Sequence, residues 1–225
     1  MRHLQAYSLH AMLSNMNKKH IITLSGKPGS GKSSTADKVA ELLGYTRYSS
    51  GDFVRKFIRK KGMTLAEFNQ RAESEHELDD AIDEELRRLR DQRDIVIDSR
   101  LGYYWIPESF KVYLDLDMDV ATARIYNDFI ENESRKGEAT DAKDISDVRR
   151  IVSQRLHNEI SRFRSVYGVN PFDKQNFDLI VNTSRHSPQT VALTVFDTYK
   201  KWLRSDTWTQ VVNEVPIGYS FKNKY

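Results

Sequence analysis

Residues 20–34 constrain the fold of this chain more than any other stretch, because strand, loop and helix patterns follow one another there. An apolar, β-branched run at 21–24 leads into Gly26-Lys27-Pro28-Gly29-Ser30-Gly31-Lys32-Ser33, which matches the pattern G-x-x-x-x-G-K-S. A loop binds a phosphate chain when its backbone N–H groups point inward, and glycine permits that curvature. These residues therefore predict a strand, a phosphate-binding loop and a helix in succession.

The loop predicts a site for a nucleoside triphosphate. Lys32 is expected to reach the β- and γ-phosphates, the Ser33 hydroxyl to ligate Mg²⁺, and the start of the helix to add positive charge. The residues expected to surround ATP are Gly26, Lys27, Pro28, Gly29, Ser30, Gly31, Lys32, Ser33 and Ser34. The alternative is a Gly/Ser-rich turn that fits the pattern by chance, which the flanking strand and helix patterns disfavour.

Composition limits the kinds of protein and partner that fit this chain. The 225 residues are 39% hydrophobic and 30% charged, which suits one α/β domain with a small insertion. The net charge of +3 fits an anionic small molecule and is too small to indicate a nucleic acid partner. The absence of cysteine excludes disulfides and favours the cytoplasm, and no run of about 18 apolar residues is present to span a membrane. We expect a monomer.

Strand and helix patterns alternate along the chain. Strands are predicted at about 20–25, 45–49, 95–98, 110–116 and 177–181, with helical patterns between them and from 188 onward. This alternation predicts a P-loop three-layer α/β sandwich with a mostly parallel, five-stranded sheet. We expect residues 1–19 to be an N-terminal extension, 20–204 to be the P-loop domain, and 205–225 to be a tail without a clear pattern.

Two segments are expected to project from this core. Residues 53–92 are helical and rich in charge, with a break at Gly62, and we interpret them as a short insertion that binds a phosphate acceptor. Residues 131–147 are polar with almost nothing to bury, which is typical of a mobile lid that excludes water from a phosphate site. Where the first helix of the insertion begins, Ser50 or Asp52 is the predicted cap.

Polar residues follow several predicted strands, at the positions where parallel α/β sheets bind ligands. The phosphate loop, Ser50, Asp98 and Asn182 all lie just after strands and are expected to meet at one crevice. Asp98 is a candidate for binding Mg²⁺ through water and for lining the acceptor site. The alternatives for Asp98 are a turn aspartate or an ion pair with Arg100.

Four arginines are candidates for binding phosphates, since phosphoryl transfer spreads negative charge over the transferred oxygens. Arg55 and Arg100 follow strand ends, whereas Arg155 and Arg162 are seven residues apart on one face of the long helix predicted at about 145–167. Lys32, Arg100, Arg155 and Arg162 are the candidate catalytic residues. The alternative for each arginine is a solvated helix face.

Asp79 and Asp83 lie one turn apart in the charged insertion, where a carboxylate can accept hydrogen bonds from a base or a ribose. Asp79 is the candidate acceptor contact of the two. Pairing of at least one of them with an arginine such as Arg87 is the favoured alternative. The aromatic residues 103–105 are expected to pack in the core rather than to stack on a base.

These residues resemble those of the nucleoside monophosphate kinases, and among them the compact, archaeal-type cytidylate kinases. The similar stretches are GKPGSGKSS (26–34), YSSGDFVRKF (48–57), IDSRLGYYWIP (97–107), RLHNEISRFRSVYG (155–168) and FDLIVNTS (177–184). The resemblance extends over roughly residues 20–204 and implies transfer of the γ-phosphoryl group of Mg·ATP to CMP or dCMP.

The resemblance also implies roles for particular residues. In cytidylate kinases, a Ser-Gly…Arg element and an Asp-x-Arg element bind the acceptor nucleotide, and the matching residues here are Ser50, Arg55, Asp98 and Arg100. The helix that follows the lid supplies arginines to the phosphates, and Arg155 and Arg162 match in place. Leu101 stands where the classical bacterial enzymes have an aspartate, and the insertion is short, so the base of the acceptor stays open.

Two other classes of function also stay open. A P-loop kinase for dephospho-coenzyme A or shikimate would use the same loop and arginines with a different anionic acceptor. A nucleotide-driven switch or binding module without kinase activity would carry the loop as well. The guanine-reading pattern N-K-x-D of GTPase switches is absent, since Asn182-Thr183-Ser184 follows the last predicted strand.

Overall fold

The computed structural model describes residues 18–62, 77–131 and 142–213. The strands in these ranges are β1 (Ile21–Gly26), β2 (Thr46–Ser49), β3 (Ile95–Asp98), β4 (Phe110–Asp115), β5 (Leu179–Asn182) and β6 (Val211–Asn213). The α-helices in these ranges are α1 (Lys32–Leu43), α2 (Ser50–Lys61), α3 (Glu77–Leu89), α4 (Gly102–Trp105), α5 (Met118–Glu131), α6 (Ile145–Tyr167) and α7 (Pro188–Arg204), and a short 3-10 helix covers Lys174–Asn176. Together they confirm the predicted α/β class.

The strands form one sheet in the order β2-β3-β1-β4-β5-β6, and each neighbouring pair is parallel. The prediction of five strands is wrong, because a sixth strand, β6, lies in the 205–225 segment. A strand of three residues is too short to show an alternating pattern. Contacts with distant residues hold it at the edge of the sheet: Trp208 Nε1 donates to Asp178 O (3.2 Å), and Gln210 Nε2 donates to Phe177 O (2.8 Å).

Helices cover both faces of the sheet, so the strands are buried between two apolar layers. On one face, Ile22 and Leu24 of β1 pack with α1 and α7 in a cluster that includes Val39 and Val195. On the other face, Ile21 of β1 packs with α3, α4 and α6. Because successive side chains of a strand point to opposite faces, β1 contributes to both layers. The predicted three-layer sandwich is therefore confirmed.

The long helix α6 begins and ends as its sequence predicts. The Asp144 carboxylate caps its first turn by accepting from the backbone N–H groups of Ser146 (2.8 Å) and Asp147 (3.0 Å). Gly168 ends the helix in the left-handed conformation, with φ of 71°. The helix buries the predicted apolar stripe against the sheet at Val148, Val152, Leu156 and Phe163. Its polar face is consequently left for the site.

The cap of α2 differs from the prediction. The Ser49 hydroxyl accepts a hydrogen bond from the Asp52 backbone N–H at 3.3 Å, so Ser49 caps the helix instead of Ser50 or Asp52. Ser49 is the last residue of β2 and immediately precedes the first helical residue, which is the position of an N-cap. The strand therefore passes directly into the helix, and the side chains of the first turn are placed beside the end of β3.

Parts of three predicted segments lie outside the described residues: most of the N-terminal extension 1–19, the middle of the insertion 53–92 and most of the lid 131–147. The insertion and the lid therefore stay predictions as functional segments. Among the helices that the structure describes, none is both long and apolar enough to cross a membrane.

Candidate active site

The phosphate loop connects β1 to α1 and lies against the ends of β4 and α5. Gly26 and Gly29 have φ of 148° and 76°, a region in which side chains are strained. A Cβ at Gly26 would lie 2.4 Å from Leu114 O, and one at Gly29 would lie 3.0 Å from Ala121 O. The backbone thus curls into a space that only glycine fits, as the sequence predicts.

The polar groups inside the loop are those that an anion needs. Lys32 Nζ donates to the carbonyls of Gly26 (2.9 Å) and Lys27 (3.1 Å), so its ammonium folds back over the loop. Burial, together with the nearby charge of Arg100, lowers the pKa of Lys32 to about 7. The Ser30 hydroxyl is buried and has no hydrogen-bond partner among the described residues.

Ser33 and Asp98 meet at the open end of the loop. Ser33 Oγ donates to Asp98 Oδ2 at 2.7 Å, and Asp98 is 7% exposed at the carboxyl end of β3. The structure therefore brings the two predicted Mg²⁺ residues together. No group of three or more His, Asp or Glu side chains in the described ranges forms a metal site by itself. A hydroxyl, one carboxylate and the oxygens of a bound phosphate chain would suit Mg²⁺, which prefers oxygen ligands and keeps several waters.

Arg100 and Arg155 converge on one carboxylate, that of Glu159 in α6. Arg100 Nε donates to Glu159 Oε2 (2.9 Å), its Nη1 donates to Gly26 O (2.8 Å), and Arg155 Nε donates to Glu159 Oε1 (3.2 Å). Burial raises the pKa of Glu159, but the charges of Arg100 and Arg155 outweigh burial and lower that pKa to about 2. Three of the four candidate catalytic residues, Lys32, Arg100 and Arg155, are therefore grouped around an anion.

Sequence reasoning missed Glu159, although a signal was present. Glu159 lies four residues after Arg155 and three before Arg162, so all three belong to one face of α6. A carboxylate between two candidate phosphate-binding arginines indicates an internal counter-ion. The alternative partner predicted for Arg100 was Asp98, but the side chain of Arg100 binds Glu159, and that of Asp98 binds Ser33.

The fourth candidate, Arg162, is held by a different residue. Its Nη1 lies 3.0 Å from Asp79 Oδ1 and 3.3 Å from Asp79 Oδ2, and the Asp79 side chain is only 7% exposed. Asp79 is therefore paired with an arginine, but the partner is Arg162 of α6 and not its neighbour Arg87. Arg87 lies over the Trp105 ring instead, at 4.1 Å.

Asp83 and the aromatic residues after β3 anchor α3 to the core. Asp83 accepts hydrogen bonds from Trp105 Nε1 (2.8 Å) and from the Tyr167 hydroxyl (2.8 Å). Tyr103 is buried, as predicted, whereas Tyr104 is 39% exposed. These contacts tie α3 to α4 and to the end of α6, and they explain why Asp83 is buried.

The acceptor-side candidates lie at the start of α2. Arg55 is exposed and donates to Asp52 one turn earlier on the same helix. The Ser50 side chain is half-buried at the first residue of the helix. Neither Asp52 nor Arg47, which binds it from β2, was recognised as a site residue in the sequence.

Arg124 of α5 was not among the candidate site residues, although its position near the predicted lid was a signal. Its Nη1 donates to Gly29 O (3.3 Å) and its Nη2 to Thr183 O (2.6 Å), so it links the phosphate loop to the end of β5. The Thr183 hydroxyl also donates to Ser30 O at 3.3 Å. The predicted crevice residue Asn182 accepts from the Ser184 N–H (2.9 Å), so its neighbour Thr183 makes the contact with the loop.

A family model and several relatives match most of this chain. Residues 21–185, well over half of the chain, match the model of the cytidylate kinase-like family. The chain belongs to this family. A cytidylate kinase of Halobacterium salinarum is 35% identical over 180 residues, which are 79% of this chain and 88% of the relative. A cytidylate kinase of Thermoplasma volcanium is 30% identical over 194 residues, covering 84% of this chain and 95% of the relative.

Solved structures with a similar fold include a shikimate kinase from Bacteroides thetaiotaomicron. That structure has a TM-score of 0.56 and 16% sequence identity, and the match covers 82% of this chain and 98% of the other. At this level of identity, the likeness establishes the P-loop kinase fold and carries no information about the acceptor. Information about function therefore comes from the archaeal cytidylate kinases and not from this structure.

Proposed function

We propose that this nucleoside monophosphate kinase transfers the γ-phosphoryl group of Mg·ATP to CMP or dCMP. The observation that carries the proposal is the grouping of Lys32, Arg100 and Arg155 at the phosphate loop, in a chain of the cytidylate kinase-like family. Transfer of a phosphoryl group needs cations around the transferred oxygens more than it needs a general base. The cluster supplies that charge in a partly buried setting, where it is weakly screened.

On the donor side, the loop residues 26–34 surround the phosphates with inward backbone N–H groups, and Lys32 exchanges its carbonyl partners for phosphate oxygens. Ser33 would hold Mg²⁺, with Asp98 acting through a water, and the ion would supply positive charge beside the donor phosphates. Asp98 keeps the Ser33 hydroxyl oriented by the 2.7 Å hydrogen bond between them.

On the acceptor side, Arg55 and Arg100 bind the phosphate of the nucleoside monophosphate, with Ser50 beside them. Arg155 and Arg162 neutralise the transferring group as the lid, 131–147, closes. For Arg162 this role requires that it leave Asp79, since that carboxylate now holds it at 3.0 Å. In this proposal Asp79, once released, accepts a hydrogen bond from the acceptor. The charged insertion, 53–92, contains both Arg55 and Asp79 and is the proposed acceptor-binding part of the chain.

We further propose that the enzyme acts as a monomer in the cytoplasm. The site residues that the structure describes come from one chain. The cytoplasm also suits a cysteine-free chain that uses ATP. Gel filtration of the active enzyme measures the oligomeric state directly.

An acceptor panel tests the function. ATP consumption is measured with CMP, dCMP, UMP, AMP and GMP, and with shikimate and dephospho-coenzyme A as acceptors of the alternative kinase class. We expect CMP and dCMP to have the highest kcat/KM. A strong preference for shikimate or dephospho-coenzyme A would reject the proposal. ATP hydrolysis that no acceptor stimulates would favour the nucleotide-driven switch.

Two substitutions test the site assignment within that function. Lys32→Ala is expected to abolish transfer, whereas Lys38→Ala, on the same helix outside the loop, keeps it. Arg55→Ala is expected to raise mainly the acceptor KM, and Arg59→Ala, one turn further along α2 and exposed, is its control. Unchanged acceptor kinetics in Arg55→Ala would show that Arg55 does not bind the acceptor. The proposed reaction would then still be tested by the acceptor panel.

A further inference from the structure

Arg47 on the edge strand β2 contacts carboxylates from three different elements. Its Nε lies 3.2 Å from Asp37 Oδ1, its Nη1 lies 3.2 Å from Asp52 Oδ2, and its Nη2 lies 3.6 Å from Asp98 Oδ2. The Arg47 side chain is only 22% exposed. A planar guanidinium can serve three partners in fixed directions, which a lysine ammonium on a flexible chain cannot do.

The sheet places Arg47 between the donor and acceptor parts of the site. Strands β2 and β3 are paired in parallel register, with Arg47 opposite Val96 and Ser49 opposite Asp98. Since side chains alternate along a strand, Arg47 and Asp98 face the same side of the sheet, where α1 packs. Asp37 belongs to α1, which follows the phosphate loop, and Asp52 belongs to the first turn of α2.

Asp52 connects Arg47 to the candidate acceptor residue Arg55. One carboxylate oxygen of Asp52 accepts from Arg47 Nη1, and the other accepts from Arg55 Nη2. Burial raises the pKa of Asp52, but the hydrogen bond and charge of Arg55 and the charge of Arg47 outweigh it and lower that pKa below its usual value. Asp52 is therefore an anion held between two guanidinium groups, and its position depends on both.

We propose that Arg47 is a positioning residue for the acceptor: it fixes the Asp52 carboxylate, and through it the guanidinium of Arg55. Because Arg55 binds the acceptor phosphate only under the proposed function, this role of Arg47 rests on that function. An exposed arginine samples many side-chain conformations, and a fixed carboxylate one turn away reduces the entropy lost when phosphate binds. Arg47 thus acts at a distance from the acceptor without touching it.

The donor side is expected to depend less on Arg47. Asp98 also accepts a 2.7 Å hydrogen bond from Ser33 Oγ, and this bond remains when Arg47 is replaced. The Arg47–Asp98 separation of 3.6 Å is longer than the 3.2 Å between Arg47 and Asp52. Loss of Arg47 therefore affects acceptor binding more than ATP binding, and this difference separates positioning from a general loss of structure.

Steady-state kinetics of five variants test this role, with the acceptor that the panel identifies. Arg47→Met is expected to raise the acceptor KM by about fivefold while the ATP KM stays within about twofold of wild type. Arg47→Lys keeps the positive charge but lacks the planar guanidinium with its several donors. We therefore expect its acceptor KM to lie between those of wild type and Arg47→Met. The double variant Arg47→Met/Asp52→Asn is expected to have the acceptor KM of Asp52→Asn alone, because both changes interrupt the same contacts from Arg47 through Asp52 to Arg55. Asp37→Asn, which changes the Arg47 partner on α1 and leaves the Asp52 carboxylate in place, is the matched control and is expected to keep both KM values.

Several results would overturn the role of Arg47. An unchanged acceptor KM in Arg47→Met, an equal rise in both KM values, or additive effects in the double variant would each do so. Normal acceptor kinetics in Arg55→Ala would also overturn the role of Arg47. The proposed reaction is tested separately, by the acceptor panel on the wild type. Circular dichroism checks folding, and if Arg47→Met does not fold, the Arg47→Lys and Asp52→Asn values decide the question.

Discussion

Replacing Glu159 by glutamine removes the carboxylate that binds two arginines of the site. Glu159 is buried, with its side chain 15% exposed, and it accepts from Arg100 at 2.9 Å and from Arg155 at 3.2 Å. The glutamine side chain has nearly the same shape, so the change removes charge with little change in packing. Arg100 is then left partly buried without its counter-ion, and an unpaired buried charge strongly destabilises a folded protein.

The magnitude follows from the pKa of the carboxylate. The pKa of Glu159 falls from its usual 4.5 to about 2, because the charges of Arg100 and Arg155 outweigh the effect of burial. A difference of that size corresponds to about 3 kcal/mol of folding free energy. Since the pKa is lowered in the folded state, this stability is fully present above the unfolded pKa of 4.5 and is lost as pH falls toward 2.

Urea unfolding of the wild type and Glu159→Gln measures this contribution. At pH 7 the variant is expected to lose about 3 kcal/mol of unfolding free energy, and at pH 3.5 the difference is expected to shrink to about 2 kcal/mol. Glu84→Gln is the control, since Glu84 is 55% exposed and pairs with Arg87 and Arg88 at 3.6 and 3.5 Å. An exposed pair of this kind contributes less than about 1 kcal/mol.

Two outcomes would refute the role assigned to Glu159 in stability. If Glu159→Gln unfolds within about 0.5 kcal/mol of wild type at pH 7, the two arginines do not depend on this carboxylate. If the variant is destabilised equally at every pH, the loss comes from packing or hydrogen bonding and not from the charge of Glu159.

Further substitutions test the loop and two tertiary contacts. Gly26→Ala places a Cβ 2.4 Å from Leu114 O and is expected to weaken binding of a fluorescent ATP analogue by more than about tenfold. Lys18→Met removes hydrogen bonds to Trp202 O and Ser205 O at the end of α7 and is expected to cost about 1 kcal/mol in urea unfolding. Asp83→Ala leaves the Trp105 and Tyr167 donors unpaired and is expected to cost about 2 kcal/mol, whereas exposed Asp80→Ala costs less than about 0.5 kcal/mol. Equal unfolding of the Asp80 and Asp83 variants would contradict the anchoring role of Asp83.

Regular elements that bury a repeating face were predictable from the sequence. The apolar stripe of α6 and the apolar run at 95–97 in β3 are formed by residues that are close in sequence. Their patterns therefore indicate burial without knowledge of the fold. The strand β6 was not predictable, because three residues have no period and its place depends on Trp208 and Gln210 binding residues about 30 positions away.

The sequence by itself determined the phosphate loop, since Gly26 and Gly29 meet a local backbone requirement, a positive φ, that few residue types satisfy. Only the tertiary structure decided which charges pair. Arg162 with Asp79, Arg100 with Glu159 and Arg47 with Asp52 and Asp98 join separate elements of the chain. Charged residues on a helix face look alike in a sequence, whether they face solvent or a buried partner. Their roles depend on which elements the folded core brings together.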